Sequence, residues 1–150
     1  MSTTTMGSVL DSAVPPSTLL TDAGSLSLYS HDVYAAGPQP LAVFRPESVE
    51  QLSAGIAAAT AKGIAIVPRG GGMSYTGGYV ADRSDALTID MSAMNRVLDI
   101  NQTDMTVTVE AGISWQALYE ALKPLGLRTP VWGTMSGIKA SVGGGMGQNG

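Results

Sequence analysis

The stretch Pro68-Arg69-Gly70-Gly71-Gly72-Met73-Ser74-Tyr75-Thr76-Gly77-Gly78 decides how this chain is interpreted, because five of its eleven residues are glycine. It directly follows the β-type run Ile64–Val67, so a strand leads the chain into this glycine loop. Backbone N–H groups without Cβ atoms beside them can face an anion and wrap it. Arg69, Ser74 and Thr76 add polar side chains. The loop therefore predicts a pyrophosphate site, and the alternative is an ordinary tight connection between strands.

A second glycine cluster comprises Gly143, Gly144, Gly145, Gly147 and Gly150. Its last six residues spell Gly-x-Gly-x-x-Gly, which is the dinucleotide fingerprint of the Rossmann fold. That fingerprint should follow a hydrophobic strand, and residues 135–142 contain no such run. The first cluster is not a Walker loop, because residues 63–81 contain no lysine. A nicotinamide-binding Rossmann enzyme is thus kept as an alternative.

Outside the glycine clusters the pattern predicts both helices and strands. Apolar residues recur at helical spacing over Pro46–Lys62, and Ser114 is expected to cap a second helix that ends at Pro124 and Gly126. Strands are predicted at Leu41–Phe44, Ile64–Val67, Leu87–Asp90, Arg96–Ile100 and Met105–Glu110, the last two forming a hairpin. Residues 1–28 are small and polar and are expected to form a flexible arm. Because the chain stops inside a glycine cluster, we expect it to be the N-terminal piece of a longer protein.

The composition excludes several classes of function. With 8 Lys and Arg against 12 Asp and Glu, the net charge is −4, which argues against nucleic acid as a partner. There is no cysteine, so disulfides, thiolate metal sites and cysteine nucleophiles are excluded. No apolar run is long enough to span a membrane, and the first 24 residues do not resemble a signal peptide, so a cytoplasmic location is expected.

The titratable residues do not form an evident catalytic or metal centre. His31 is the only histidine, and a lone histidine more often makes local hydrogen bonds than catalyses. The acids Asp82, Asp85, Asp90, Asp99 and Asp104 show no close pairing, and most are expected to be solvated turn residues. Arg69 is expected to contact either a phosphate or a neighbouring carboxylate. Trp115 and Tyr119 are expected to pack in the core, whereas Trp132 is a candidate to face a cofactor.

Six stretches follow one another in a recognisable order: Tyr29–Asp32, Val43–Glu50, Pro68–Gly78, Leu87–Asn95, Val109–Ile113 and Ala140–Gly150. Together they resemble the vanillyl-alcohol-oxidase-like flavoproteins, also called the PCMH-type FAD-binding fold. The resemblance covers residues 29–150. It implies an α+β domain of mixed small sheets with flanking helices, truncated at its C-terminal end.

The resemblance also implies FAD as the cofactor. It places the diphosphate on the backbone of Gly70–Gly78 and the flavin end near Pro130 and Gly143-Gly144. The implied cofactor-binding residues are Pro68, Arg69, Gly70, Gly71, Gly72, Met73, Ser74, Gly77, Gly78, Pro130, Gly143 and Gly144. The flavin would accept a hydride from a substrate carbon that bears a hydroxyl group. The family's substrate domain and most of its catalytic bases follow the matching part, so no catalytic residue is assigned and this chain alone is expected to be inactive.

Two further details of the motifs refine this expectation. A branch of the family attaches FAD covalently through a histidine at the position of Met73, with a second link through cysteine, so non-covalent FAD is expected here. The motifs Tyr29-Ser30-x-Asp32 and Arg69-Gly70-x-Gly72 most closely resemble those of 2-hydroxy acid dehydrogenases that act on glycolate or D-lactate. Trp132–Gly137 departs from that pattern and leaves aromatic-alcohol oxidases open. A non-catalytic glycine-rich binding module is the remaining alternative.

Overall fold

The computed structural model describes residue 10, residues 12–133 and residues 135–148, which divide into two compact units. Unit 1 comprises the described residues up to Arg69 together with residues 74–90. Unit 2 comprises residues 70–73 and the described residues from Met91 onward. The glycine loop is therefore shared, because residues 70–73 belong to unit 2 and the rest of the loop belongs to unit 1.

Among the described residues, unit 1 contains a four-stranded sheet, two α-helices of seven or more residues and a short 3-10 helix at Pro16–Thr18. The strands are β1 (Leu19–Leu20), β2 (Ala42–Phe44), β3 (Ala65–Arg69) and β4 (Ala86–Asp90), and the helices are α1 (Ala23–Tyr29) and α2 (Val49–Thr60). The sheet order is β1-β2-β4-β3, with β4 parallel to both of its neighbours and β1 antiparallel to β2. Since β4 lies between two strands, all five of its residues are buried.

Helix α2 packs on one face of this sheet through a glycine. A Cβ atom on Gly55 would lie 2.4 Å from the Phe44 ring, so only glycine permits this approach. The helix was predicted to begin at Pro46, but it begins at Val49, because the Ser48 side chain accepts a hydrogen bond from the N–H of Gln51 and so sets the N-cap there. The Gln51 side chain in turn accepts from the N–H of Glu47.

Unit 2 contains a hairpin and two helices. The strands β5 (Val97–Asn101) and β6 (Thr106–Val109) pair antiparallel, as predicted, with an irregularity between Val97 and Asp99. Helix α3 (Trp115–Leu122) begins after Ser114, whose side chain accepts from the N–H of Ala117, so the predicted cap is confirmed. Its apolar face forms a core whose buried residues are Ile113, Trp115, Leu118 and Leu122.

Two short helices were not predicted. Helix α1 lies mostly within residues 1–28, the segment interpreted as an arm, and begins after Asp22, whose carboxylate accepts from the N–H of Ser25. In the same segment β1 pairs with β2 and Thr18 is buried. Helix α4 (Val142–Gly147) lies within the second glycine cluster. Four of its six residues are glycine, which disfavours a helix by propensity, and Ser141 supplies its N-cap.

Candidate cofactor site

The parallel strands of unit 1 end at one edge with charged residues. Arg69 and Asp90 are register partners at the ends of β3 and β4, and Arg45 directly follows the last residue of β2. In sheets with parallel strands, ligands bind outside the carboxyl ends of the strands. This edge is also where β3 leads into the glycine loop.

Asp90 is the buried centre of a polar network at this edge. Its Oδ2 atom accepts from Arg45 Nε at 2.8 Å and from the Tyr29 hydroxyl at 2.6 Å. Arg45 Nη2 also donates to the Tyr29 hydroxyl at 3.2 Å. Burial, followed by the hydrogen bond to Asp90, raises the pKa of Tyr29. Asp90 is thus an exception to the expectation that most acids are solvated, because its strand lies between two others.

The Arg69 guanidinium lies between two aromatic rings. Its central carbon is 4.8 Å from the centroid of the Tyr29 ring and 4.5 Å from that of Tyr79, distances typical of cation–π contacts. Its Nη1 atom donates to the carbonyl of His31 at 3.0 Å. These contacts fix the side chain beside the glycine loop without a direct ion pair among the described residues. The carboxylate alternative that the sequence allowed for Arg69 is therefore not found.

His31 makes the local contact that was predicted for it. Its Nδ1 atom lies 2.7 Å from the carbonyl oxygen of Ser27 in the last turn of α1, and 3.1 Å from the Ser30 hydroxyl. These contacts engage Nδ1 of His31 at the C-terminal end of α1. We therefore assign His31 a structural role at this helix end.

The second half of the glycine loop, residues 74–79, is shaped by contacts within unit 1. Asp32 Oδ2 accepts from the N–H of Gly77 at 2.9 Å, and the Tyr79 hydroxyl donates to the carbonyl of Ser74 at 3.1 Å. The hydroxyls of Ser74 and Thr76 lie 2.8 Å apart. Gly77 has a φ of +71°, and a Cβ atom on it would meet nothing within 4 Å. Its left-handed conformation, and not crowding, therefore favours glycine there.

The first half of the loop, residues 70–73, packs within unit 2 against the segment before α4. A Cβ atom on Gly71 would lie 1.7 Å from the carbonyl oxygen of Lys139, and one on Gly70 would lie 2.2 Å from Ser141 Oγ. Ser141 Oγ accepts from the N–H groups of Gly71 at 3.3 Å and Gly144 at 3.2 Å. Two segments that the sequence assigned to the cofactor, near residues 70 and 144, are thus joined through one hydroxyl. Close packing explains Gly70 and Gly71.

The other predicted contact residues of unit 2 differ in their surroundings. The N–H of Gly143 donates to the carbonyl of Ala111 at 2.9 Å, and a Cβ atom there would lie 2.7 Å from Ala111. Pro130 is exposed in the loop after α3. The Trp132 ring, 47% exposed, meets Tyr119 edge-to-face at 4.8 Å, whereas Trp115 is buried as predicted. Trp132 therefore has an aromatic partner within the protein and keeps an exposed surface.

The open part of the loop fits a bound anion. Among the described residues, the backbone N–H groups of Ser74, Tyr75 and Gly78 donate to no protein acceptor, and a Cβ atom on Gly78 would have only the Thr76 hydroxyl within 4 Å. Free backbone donors beside glycines form an anion-binding concavity. The guanidinium of Arg69 adds positive charge at the start of the loop. These features fit the diphosphate of a dinucleotide cofactor.

The role of Asp32 in this site was not predicted. Asp32 belongs to one of the motifs that carry the family resemblance. Its hydrogen bond to Gly77 could not be predicted, because the two residues are 45 positions apart in the sequence. Tyr79 was missed for the same reason, because its contact with Arg69 is made only in the folded chain. The one signal available was local: an aspartate commonly accepts from backbone N–H groups two or three residues later.

The chain is similar to several known flavoproteins. D-2-hydroxyglutarate dehydrogenase from Xanthomonas citri pv. viticola is 37% identical over 123 residues, covering 81% of this chain and 26% of that protein. The mitochondrial D-lactate dehydrogenase [cytochrome] of Arabidopsis thaliana is 38% identical over 105 residues, covering 70% of this chain and 18% of that protein. The crystal structure of p-cresol methylhydroxylase with substrate bound has a TM-score of 0.80 at 16% identity, covering 97% of this chain and 30% of that chain.

These comparisons confirm the α+β, PCMH-type fold and give no support to a Rossmann fold or to a module without a cofactor. The chain spans less than a third of the length of each of these proteins. In the part of the chain that the structure describes, no helix is long and apolar enough to cross a membrane. The family model described as "FAD binding domain" matches residues 40–150, which include the whole glycine loop, and the chain belongs to this family of FAD-binding proteins.

Proposed function

We propose that this chain is the FAD-binding part of a flavin-dependent oxidoreductase that takes a hydride from the CH–OH group of a small hydroxy acid or alcohol. The observation that carries the proposal is the open half of the glycine loop, with backbone donors at Ser74, Tyr75 and Gly78 that meet no protein acceptor among the described residues. The family match supports FAD as the dinucleotide. Relatives named as dehydrogenases of D-2-hydroxyglutarate and D-lactate support a 2-hydroxy acid as the substrate class.

The residues proposed to bind FAD do so in different ways, some through backbone amides and one through a charged side chain. Backbone amides of the loop bind the diphosphate, and Gly77 gives the loop its turn. Arg69, fixed between two rings, contributes positive charge. The flavin supplies the hydride acceptor when it is bound. The remaining proposed contacts are Pro68, Gly70, Gly71, Gly72, Met73, Ser74, Gly78, Pro130, Gly143 and Gly144.

We further propose that FAD is held without a covalent bond through this chain, because methionine stands at position 73 and there is no cysteine. The catalytic base is proposed to lie outside these 150 residues. A cytoplasmic location stays a prediction of the sequence.

The substrate class is tested on the complete protein that contains this chain. The purified protein is made anaerobic and mixed in turn with D-2-hydroxyglutarate, D-lactate, glycolate and an aromatic alcohol, while the visible flavin absorption is recorded. We expect a 2-hydroxy acid to bleach the flavin, and its L-enantiomer serves as the matched control for D-2-hydroxyglutarate and D-lactate. Bleaching by the aromatic alcohol alone would reject the 2-hydroxy acid class. A flavin that is bleached only by a nicotinamide nucleotide would contradict the proposed reaction.

A further inference from the structure

Residues 30–37, which we call the Asp32 turn, form a small closed turn after α1. The N–H of Gly37 donates to the carbonyl of Ser30 at 2.8 Å, and the N–H of Asp32 donates to that of Ala35 at 2.9 Å. His31 and Ala36 form an isolated bridge inside the turn. These bonds give the turn a defined shape of its own.

The Asp32 turn lies directly against the chain that leaves the glycine loop. A Cβ atom on Gly37 would lie 2.5 Å from the Val80 side chain and 2.7 Å from the carbonyl oxygen of Ala81. Only glycine permits such a close approach. The turn therefore packs against residues 80 and 81, within unit 1.

The carboxylate of Asp32 joins the two segments. Its Oδ1 atom accepts from the N–H of Tyr34 at 2.6 Å and also from the N–H of Ala35, while its Oδ2 atom accepts from the N–H of Gly77 at 2.9 Å. These backbone donors, Ala35 first, together with the charge of Arg69, hold the pKa of Asp32 below its usual value. Asp32 is therefore a carboxylate at neutral pH, with both oxygens engaged.

Gly77, which donates its N–H to Asp32, is the residue at which the loop adopts a left-handed backbone conformation. Gly77 has a φ of +71°, and a Cβ atom on it would meet nothing within 4 Å. Its carbonyl oxygen accepts from the N–H of Val80 at 3.0 Å, and its N–H donates to the carboxylate of Asp32, which ties it to the Asp32 turn. The free donors of Tyr75 and Gly78 lie on either side. Their direction thus depends on how Gly77 is held.

We propose that Asp32 is a positioning residue, which fixes Gly77 so that the loop at residues 74–78 is already shaped to receive the FAD diphosphate. This inference rests on the proposed function. A loop that is ordered before binding loses less conformational entropy when the ligand arrives. The carboxyl group needs two acceptor oxygens for this task, and the amide of asparagine offers only one.

The test compares Asp32→Asn with Asp22→Asn in the complete protein, after removal of bound flavin. Asp22 is the matched control, because its carboxylate also accepts a backbone N–H in unit 1 but its hydrogen-bond partner is Ser25. Affinities are measured for FAD, for ADP, which carries the diphosphate, and for riboflavin, which carries no phosphate. Loss of one hydrogen bond to a charged group predicts about tenfold weaker binding of FAD and ADP to Asp32→Asn, with riboflavin binding unchanged. Hydrogen exchange at residues 74–79 should be faster in that variant alone.

Several results would overturn the proposal. Equal affinity of Asp32→Asn and the parent for FAD and ADP would do so, and so would an equal loss for riboflavin, which would show a general effect on the fold. A parent protein that binds no FAD would contradict the proposed function itself, which separates the two failures. If Asp32→Asn does not fold, Asp32→Glu keeps the negative charge but moves the carboxylate by one methylene away from the N–H of Gly77. That variant should bind ADP several-fold more weakly, and unchanged binding would reject the proposal.

Discussion

The Tyr29 hydroxyl donates a hydrogen bond of 2.6 Å to the buried carboxylate of Asp90, although the two residues are 61 positions apart in the chain. The bond joins the end of α1 to the end of the central strand β4. The ring of Tyr29 also lies under the Arg69 guanidinium. One side chain thus ties the end of α1 to the edge where the glycine loop begins.

Removing this hydroxyl should destabilise the protein. Tyr29→Phe keeps the ring but leaves Asp90 with one donor fewer, so we expect the free energy of unfolding to fall by about 1 to 2 kcal/mol. Tyr34→Phe is the control, because Tyr34 is 87% exposed. Urea denaturation of both variants measures the difference. Equal stability of Tyr29→Phe and the parent would show that the bond contributes nothing.

The raised pKa of Tyr29 predicts how stability changes at alkaline pH. Because the folded pKa lies above the unfolded value of about 10, the network's contribution is fully present below that pH and is lost as pH rises through the folded pKa. Tyr29→Phe should therefore show a weaker fall in stability above pH 10 than the parent. Denaturation at a series of alkaline pH values, with tyrosinate absorbance followed in parallel, tests this. Identical alkaline profiles would contradict the prediction.

The lowered pKa of Glu110 predicts that stability falls at acidic pH. Arg96 donates to its carboxylate from both the side chain and the backbone, and these bonds lower the pKa of Glu110. The contribution to stability is therefore present above the unfolded pKa of about 4.3 and is lost as pH falls through the folded pKa. Glu110→Gln should reduce this acid-side loss, as measured by thermal unfolding at a series of pH values from neutral to well below the unfolded pKa. Glu120→Gln, at an exposed helix position, is the control.

Two glycines of unit 2 should respond in opposite ways to alanine. In Gly71→Ala the new Cβ would meet the carbonyl oxygen of Lys139 at 1.7 Å, so backbone must move and we expect a loss of about 1 to 3 kcal/mol. In Gly147→Ala the Cβ meets nothing within 4 Å, so stability should stay the same or rise by up to about 1 kcal/mol. Calorimetric unfolding of the two variants and the parent measures these differences in stability. Equal effects would show that the loop does not pack on residue 139 as described.

Local sequence signals predicted much of this fold. The hairpin, the strands β2 to β4 and the N-cap Ser114 all depend on residues that are close together in the sequence. The helical form of residues 142–147 was missed because glycine disfavours helices, and the packing that supports it involves Ala111. The burial of Asp90 was missed because it depends on the strand order β2-β4-β3, which no local pattern encodes.

The sequence predicted the two glycine segments of the candidate site, but not the structural role of each residue. The glycines drew attention to both segments, yet their spacing could not distinguish Gly71, which packs on a backbone carbonyl, from Gly77, which has an empty Cβ position. The supports of the loop, Asp32 and Tyr79, act through contacts that form only in the folded chain.

Non-covalent binding of FAD by this chain can be tested with a spectrum and a denaturation experiment. The complete protein is purified, its visible spectrum is recorded, and it is then denatured and the released material is chromatographed. We predict a yellow protein that releases free FAD and takes it up again after renaturation. A colourless protein that cannot be reconstituted with FAD would contradict FAD binding, and a yellow protein that retains its flavin after denaturation would contradict non-covalent attachment.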